Sequence, residues 1–479
     1  MKKYLNKYSL SSRHSGNLLA GIHGSVNTQI SGITSILSVK NILFFTLAIS
    51  CLYLAQAHAS DEIPGNKQTH PIALTGGTVH TVSGETLVNA TLLFDNGKIT
   101  AIGSTMTLSD STEKIDISGK HVYPGLIAAN SRVGLVEIDA VRSTQDYAEV
   151  TQIKPNVRVE SALNPDSELL PVLRANGITM THTIPMGGLL SGTSAMVMMD
   201  GWTWEDLTLR APIGLYVNWP TMAPFRGNLN EKQKSEFLKK RDSQIQQLKD
   251  AFADARAYSK AKEAESLKTS VYHKSDIRWE AMMPVLNKEI PVLLEASGIR
   301  EIEASIDWAM SEDLDVVLMT GTDVRFALDL LKEKNIPVIY KGTLALPLRR
   351  YEPYDTPFTV PKLMSDSGVR YCISGSGTPF EAAHERNLPY QAAMAVAYGL
   401  SPEEALKAIT LYPAQILGVA DRVGALEVGK DATLIVTDGD PLDIRTQVEM
   451  EYIQGRAVQL TSRHTRLNDK YKTKYARMK

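Results

Sequence analysis

The rhythm of apolar and polar positions changes twice along this chain. From Ile72 to Pro124, short alternating runs are joined by tight turns. Thr78 to Val82 and Thr91 to Phe94 read as strands, and Ile99 to Ile102 as the return strand of a hairpin. Asp95-Asn96-Gly97-Lys98 predicts a type I′ turn, because Asn-Gly accepts the positive φ that this turn demands. Gly424 to Leu460 has the same texture, with strands at Thr433 to Val436, Val448 to Ile453 and Arg456 to Leu460. Neither end alone has enough strands to bury a face. The two are therefore expected to meet as one composite β-sandwich, residues 72–126 with 411–460.

Between these ends, helical and strand periodicities alternate. Leu169 to Asn176 leads into Ile178 to Ile184, and Ile290 to Leu294 precedes a helix near Ile299 to Ser311. Val316 to Met319 precedes a helix over Val324 to Lys334, and Ile336 to Tyr340 and Val369 to Ile373 follow. This is the spacing of parallel βαβ units. Residues 127–410 have the length of a (β/α)8 TIM-like barrel with an insertion. The insertion is the polar, helix-prone stretch from Asn228 to about Ser266, where Phe237, Ile245, Leu248, Phe252 and Ala255 fall near helical spacing; it reads as a solvated helical arm. Ser401-Pro402-Glu403-Glu404 predicts a capping box opening a helix through Ile409.

Composition narrows the class. The chain has 479 residues, 43% hydrophobic and 22% charged, with a formal net charge of −2. That near-neutral charge argues against a nucleic-acid binder, which would need a basic face to meet the phosphates. Its two cysteines, Cys51 and Cys372, exclude a disulfide framework, and Cys372 falls in an apolar run that reads as a buried strand. Ile42 to Ala55 is an apolar run preceded by Lys40 and followed by Ala57-His58-Ala59. A permanent membrane helix needs about 20 apolar residues. The run therefore reads as a secretory signal cleaved after Ala59, with a long extension before Lys40, against the alternative of an uncleaved anchor. The expected location is the periplasm or another exported compartment, with membrane contact only through that signal.

Several segments resemble the metal-dependent amidohydrolase superfamily, especially its imidazolonepropionase-like branch. Gly119-Lys120-His121-Val122-Tyr123-Pro124-Gly125-Leu126-Ile127 is similar to the family's entry into the first barrel strand. Gly399-Leu400-Ser401-Pro402-Glu403-Glu404-Ala405-Leu406 through Gly418-Val419-Ala420-Asp421-Arg422-Val423-Gly424 resembles its closing helix. Gly429-Lys430-Asp431-Ala432-Thr433-Leu434 resembles its return to the sheet domain. The resemblance covers roughly residues 72 to 460. It implies a barrel beside a composite β-sandwich and a hydrolase acting on non-peptide carbon–nitrogen bonds.

The same comparison shows where the chemistry departs. Catalytic relatives carry Asp-x-His-x-His after Pro-Gly-Leu-Ile, which sets two imidazoles on one strand face. Here the run is Ala128-Ala129-Asn130-Ser131-Arg132, with Asn130 and Arg132 at the histidine positions. The strand ending in His-Ala reads Leu294-Glu295-Ala296, the one ending in His-Gly reads Thr320-Gly321, and Gly-Ser-Asp becomes Gly375-Ser376-Gly377. A guanidinium about 4 Å from a dication costs about 8 kcal/mol at an effective dielectric near 20. Without the metal, water keeps a pKa near 15.7 rather than about 7. No cofactor is expected, and zinc or another divalent ion would need unconventional ligands.

The remaining candidates sit at the expected barrel mouth. Glu295 is placed either as a general base or, preferentially, in an ion pair with Arg132 within about 4 Å, filling the emptied ligand cluster. His384 is a second acid–base candidate, against a surface-loop role. Asn130, Arg132, His182, Thr320 and Ser376 are candidate substrate contacts, His182 against a hydrogen-bonded core role. Asp323 is read as the cap of the helix beginning near Val324. The loop Gly187-Gly188-Leu189-Leu190-Ser191-Gly192-Thr193-Ser194 matches no phosphate-binding motif. Trp202, Trp204 and Glu205 line a lid or a partner surface, or simply pack. Three functions follow: a hydrolase with altered, metal-independent or lost activity; a non-catalytic paralogue paired with an active amidohydrolase subunit, or a homo-oligomer; and a periplasmic binder of a small-molecule ligand.

Overall fold

The computed structural model describes residues 62–223, 229–268 and 271–478. The segment expected to be an export signal, with Cys51, lies outside the described residues. Five strands open the chain: β1 (Ile72–His80), β2 (Thr86–Asp95), β3 (Lys98–Gly103), β4 (Glu113–Asp116) and β5 (His121–Pro124). The barrel region contributes β6 (Leu126–Ser131), β7 (Ile178–Thr183), β8 (Leu190–Thr193), β9 (Ala195–Met198), β10 (Thr208–Arg210) and β11 (Leu215–Asn218). It continues with β12 (Val292–Glu295), β13 (Val316–Thr320), β14 (Val338–Lys341) and β15 (Tyr371–Ser374). Three strands close the chain: β16 (Leu434–Thr437), β17 (Val448–Ile453) and β18 (Arg456–Ala457).

Both chain ends share one eight-stranded sheet, ordered β18-β17-β16-β5-β1-β2-β3, with β4 alongside β1. Bulges around Gly77 interrupt β1, so that its first half pairs with β4 and its second with β5. The ends meet at the antiparallel β5–β16 seam, where Val122 faces Val436 and Pro124 faces Leu434. Asn96 (φ +48°) and Gly97 (φ +77°) both take the left-handed conformation of the type I′ turn. Asp431, buried, accepts from Arg422 Nη2 at 2.6 Å and from Lys98 beside that turn. The Gly429–Leu434 motif is thus clamped to the first hairpin by a buried carboxylate held between two cations.

In the barrel, β11 through β15 run parallel in unbroken register, Val292 opposite Val316 and Val338 opposite Tyr371. These runs are buried and rich in Val, Ile and Leu, as strands covered on both faces must be. The expected uniform βαβ pattern breaks after β7. β8 is antiparallel to β11 and β9 is antiparallel to β7, with Ser194 as the pivot between them. A parallel crossover needs about a dozen residues or more. Only residues 184–189 separate β7 from β8, and Gly187 (φ +84°) and Gly188 (φ +79°) turn them back at once. Opposite this reversal, Ile127 N donates to Ile409 O and Ile373 N donates to Ala408 O, both at 2.9 Å, so the segment after Lys407 bridges the first strand and β15.

His182 pins the reversed strand. Its Nδ1 lies 2.9 Å from Ala129 O and its Nε2 lies 2.8 Å from Ser194 Oγ. A neutral imidazole satisfies both contacts, donating from Nδ1 and accepting from the Ser194 hydroxyl. Burial is the main cause that lowers its pKa to about 4.

The polar insertion forms a 36-residue helix, Glu231–Ser266, opened by a full capping box at Asn230 and Gln233. Only Leu248, Ala251, Phe252 and Ala255 are buried. Phe252 meets Trp308 edge-on with ring centroids 5.1 Å apart, docking the middle of the arm on helix Ile299–Ser311. Elsewhere local expectations needed adjustment. The helix expected over Val324 to Lys334 is split into a 3-10 turn, Thr322–Phe326, and a helix, Leu328–Glu333. At Ser401 only half the capping box forms, since the Glu404 carboxylate accepts from Tyr412 and Lys407 instead.

Because the folded pKa of His182 lies below its ordinary value near 6.5, the unfolded chain takes up the proton first as pH falls. Its contribution to stability is complete above about pH 6.5 and is lost on descending to about pH 4. The loss is on the order of 3 kcal/mol. Denaturant titrations of wild type and His182→Gln across that window should show a shallower decline for the variant; parallel declines would contradict the neutral-pin assignment.

Candidate functional site at the barrel mouth

Each parallel barrel strand ends in a polar or charged side chain where its apolar run stops. β12 ends at Glu295, β13 at Thr320, β14 at Lys341 and β15 at Ser374. Side chains from alternate barrel strands lie in a common layer. Glu295 and Lys341, on strands separated by β13, accordingly meet as an ion pair across it. Tyr216, buried on β11, donates its hydroxyl to the same Glu295 carboxylate at 3.3 Å. Burial first, then the neighbouring Glu295, drives the Tyr216 phenol upward and keeps it a donor.

Arg132 is only 2% exposed, yet no carboxylate oxygen of the described residues lies within 4.0 Å of it. The expected Arg132–Glu295 pair is therefore overturned: Lys341 has taken that carboxylate. Arg132 Nη1 donates to Asn130 Oδ1 at 3.2 Å and to Ser131 O at 2.9 Å, while its Nε has no acceptor. Its guanidinium lies 6.0 Å from the Tyr216 ring centroid, so Tyr216 stands between the arginine and Glu295. Burial pushes Arg132 below its ordinary value, opposed by Tyr216, Glu295 and Glu385.

Glu385 completes the cluster. It is 1% exposed, and neither carboxyl oxygen has a hydrogen-bond partner. Gly375 gives it room, since a Cβ there would lie 3.0 Å from Glu385 Oε2. Burial, reinforced by Glu381 and opposed by Arg132, raises its pKa well above the ordinary carboxylate range, favouring the protonated acid. Thr320 Oγ1 and Ser374 Oγ are likewise buried without partners.

The other candidates divide sharply. Asn130, buried, donates to Gly375 O at 3.4 Å. A Cβ on Gly377 (φ +69°) would come within 2.1 Å of the Asn130 amide, so the short residue at 377 and the amide at 130 are sterically matched. Both ring nitrogens of His182 are spent on the scaffold, leaving none for a ligand. His384 is half-exposed, with Nδ1 3.1 Å from Phe380 O and its ring beside the Phe380 ring; its neighbour Glu385 is the residue turned inward. Ser376 lies 3.3 Å from Thr378 Oγ1 at the start of the 3-10 segment Pro379–Asn387, outside the buried cluster. Asp323 does not cap its own helix. It accepts from Ile299 N at 3.2 Å, capping helix Ile299–Ser311, and forms a two-pronged pair with Arg349 at 2.6 and 2.7 Å. Trp202 is exposed, whereas Trp204 packs against the core.

The donor set suits a metal poorly. Among the described residues, no three of His, Cys, Asp and Glu come together as ligands. The mouth offers a guanidinium, an ammonium, an amide and one ionised carboxylate already engaged. A cavity of about 780 Å3 lies elsewhere, lined by residues 146–154, 156–159, 161 and 162 with Pro185 and Arg278, and none of Arg132, Glu295 or Glu385 borders it.

Two members of the cluster escaped sequence reasoning. Lys341 was available to it: Ile336 to Tyr340 was read as a strand, and the strand-end rule that selected Glu295 selects the next residue. Glu385 had no such signal, because a 3-10 segment does not declare which of Glu381, His384 and Glu385 turns inward.

Residues 307–466 match the sequence model of the Amidohydrolase family. The amidohydrolase tasK of Hapsidospora irregularis is 21% identical over 398 residues, which is 76% of this chain but 39% of that protein. This chain thus spans well under half the length of that relative. An imidazolonepropionase of Thermoplasma volcanium is 35% identical over 92 residues, 19% of this chain and 22% of that protein. The crystal structure of an amidohydrolase from Thermotoga maritima superposes with a TM-score of 0.72 at 26% identity, covering 81% of this chain and 99% of that one. Residues 307–466 thus carry the Amidohydrolase family's sequence pattern, and the barrel with its two-ended sheet shares the fold of that amidohydrolase.

Proposed function

We propose that this chain is a metal-independent member of its superfamily, an exported protein that binds a small molecule at the barrel mouth instead of hydrolysing a carbon–nitrogen bond over a metal ion. The observation that carries this reading is the Lys341–Glu295 ion pair, with the buried Arg132 guanidinium close by. Glu295 could ligate a dication only by giving up Lys341, leaving the ammonium unpaired beside the ion. Arg132 would add about 8 kcal/mol of repulsion at about 4 Å and an effective dielectric near 20. The route by which a metal lowers the pKa of its bound water is then closed. The apolar run Ile42 to Ala55 with its small-x-small end supports export.

Elemental analysis of the purified chain should find zinc, iron and manganese well below stoichiometric amounts, with no change in melting temperature on chelation. A stoichiometric metal together with chelator-sensitive amide or imide hydrolysis would overturn the reading. The ion pair is tested separately. Lys341→Met should destabilise the fold by about 3 kcal/mol by stranding Glu295, and adding Glu295→Leu should recover most of that loss. Additive losses in this double-mutant cycle would show that the two side chains are not coupled.

A further inference from the structure

We propose that helix Arg463–Ala476 is a docking surface for an anionic lipid bilayer, lying in the plane of the interface with its tyrosines at headgroup level. The inference is independent of the chemistry at the barrel mouth.

The helix opens with a capping box, Ser462 with Thr465, and its first turn is tied to the body. Arg466 pairs with Glu62 at 3.0 Å, and Arg386 Nη1 lies 3.1 Å from His464 Nδ1. From Leu467 onward, the side-chain hydrogen bonds and ring contacts stay within the helix. Every residue from Arg463 to Met478 is exposed. A 14-residue helix with no buried side chain is marginal in water, because most helical stability comes from packing one face. Such a helix gains from a surface that covers it.

Its chemistry says which surface. At about 100° per residue, Leu467, Tyr471, Tyr475 and Met478 share one face. Tyr471 is 48% exposed and Tyr475 60%. Lys470 and Lys474 border this stripe on one side and Lys472 on the other, while Asp469 falls on the opposite face. Lys474 Nζ lies 5.9 Å from both tyrosine ring centroids. None of the three lysines forms an ion pair among the described residues. Residues 463–478 hold six lysines and arginines to one carboxylate, a local charge of +5 in a chain whose formal net charge is −2. A cationic border around an apolar stripe is complementary to anionic phosphates laid over hydrocarbon. Tyrosine rings settle at that boundary, and lysine stems reach past it to the headgroups. A nucleic acid would engage the cations and leave the stripe in water. Among the described residues no helix is long and apolar enough to cross a membrane, so the contact is peripheral. It is also separate from the apolar run Ile42 to Ala55.

The test floats the purified chain with vesicles of phosphatidylcholine alone, or of phosphatidylcholine mixed with phosphatidylglycerol. Binding to the mixed vesicles, weakened by salt and well above that to neutral ones, is expected. The run Ile42 to Ala55 is common to every variant, so the neutral vesicles report its contribution. Replacing all three lysines (Lys470→Gln, Lys472→Gln, Lys474→Gln) should weaken binding to the mixed vesicles about a hundredfold, at about fivefold per lysine. Tyr471→Ser with Tyr475→Ser keeps the charge and should weaken it about tenfold. All five positions are exposed, and unchanged melting temperatures would show that the fold is intact. Equal binding to both vesicle types, or wild-type affinity in either variant, would overturn the proposal. So would tighter binding to a random-sequence DNA duplex than to the mixed vesicles, which would assign the helix to nucleic acid.

Discussion

Lys341 and Glu295 reach each other across β13 because alternate barrel strands share a layer, and this one contact organises the mouth. The carboxylate also receives the Tyr216 hydroxyl, so β11, β12 and β14 are tied together at their C-terminal ends. The underlying constraint is that charge taken out of water must be compensated. Once Lys341 claims Glu295, Arg132 is left to backbone and amide oxygens.

The scaffold that brings these strand ends together depends on less obvious devices. A short, glycine-turned connection forces β8 and β9 to run against their neighbours, and a neutral buried histidine holds the pivot at Ser194. On the opposite side, Ala408 and Ile409 lend their carbonyls to β15 and β6. Asp323, Arg349, Glu352 and Arg325 form a linked set under the loop after β14, and the guanidiniums offset the burial of Glu352 and hold its pKa at about 2. Such pairing keeps the loop after β14 in place.

Much of this was legible from local pattern. The Asn96-Gly97 turn, the helix at Ile299–Ser311 and the strand positions of Glu295 and Thr320 follow from short-range rules, because backbone conformation and side-chain alternation are properties of a few consecutive residues. Partnership was not legible in the same way. Opposite charges at two ligand positions pointed to Arg132 with Glu295, but a third strand supplied a competitor from 46 residues downstream. Asp323 looked like a cap by position, yet the helix it caps begins at Ile299. His384 drew attention as an imidazole, while the chemistry of burial belongs to Glu385 beside it.

By itself the sequence determined the alternation of strands and helices, the sheet built from both ends, and the absence of imidazoles at Asn130 and Arg132, since each of these is written in residue type and spacing. The tertiary structure alone decided which charges meet, which strand runs backwards and which carboxylate is stripped of water. Those outcomes turn on distances of a few ångströms between segments far apart along the chain. Over such distances Coulomb and desolvation energies change by several kcal/mol, and no local pattern records them.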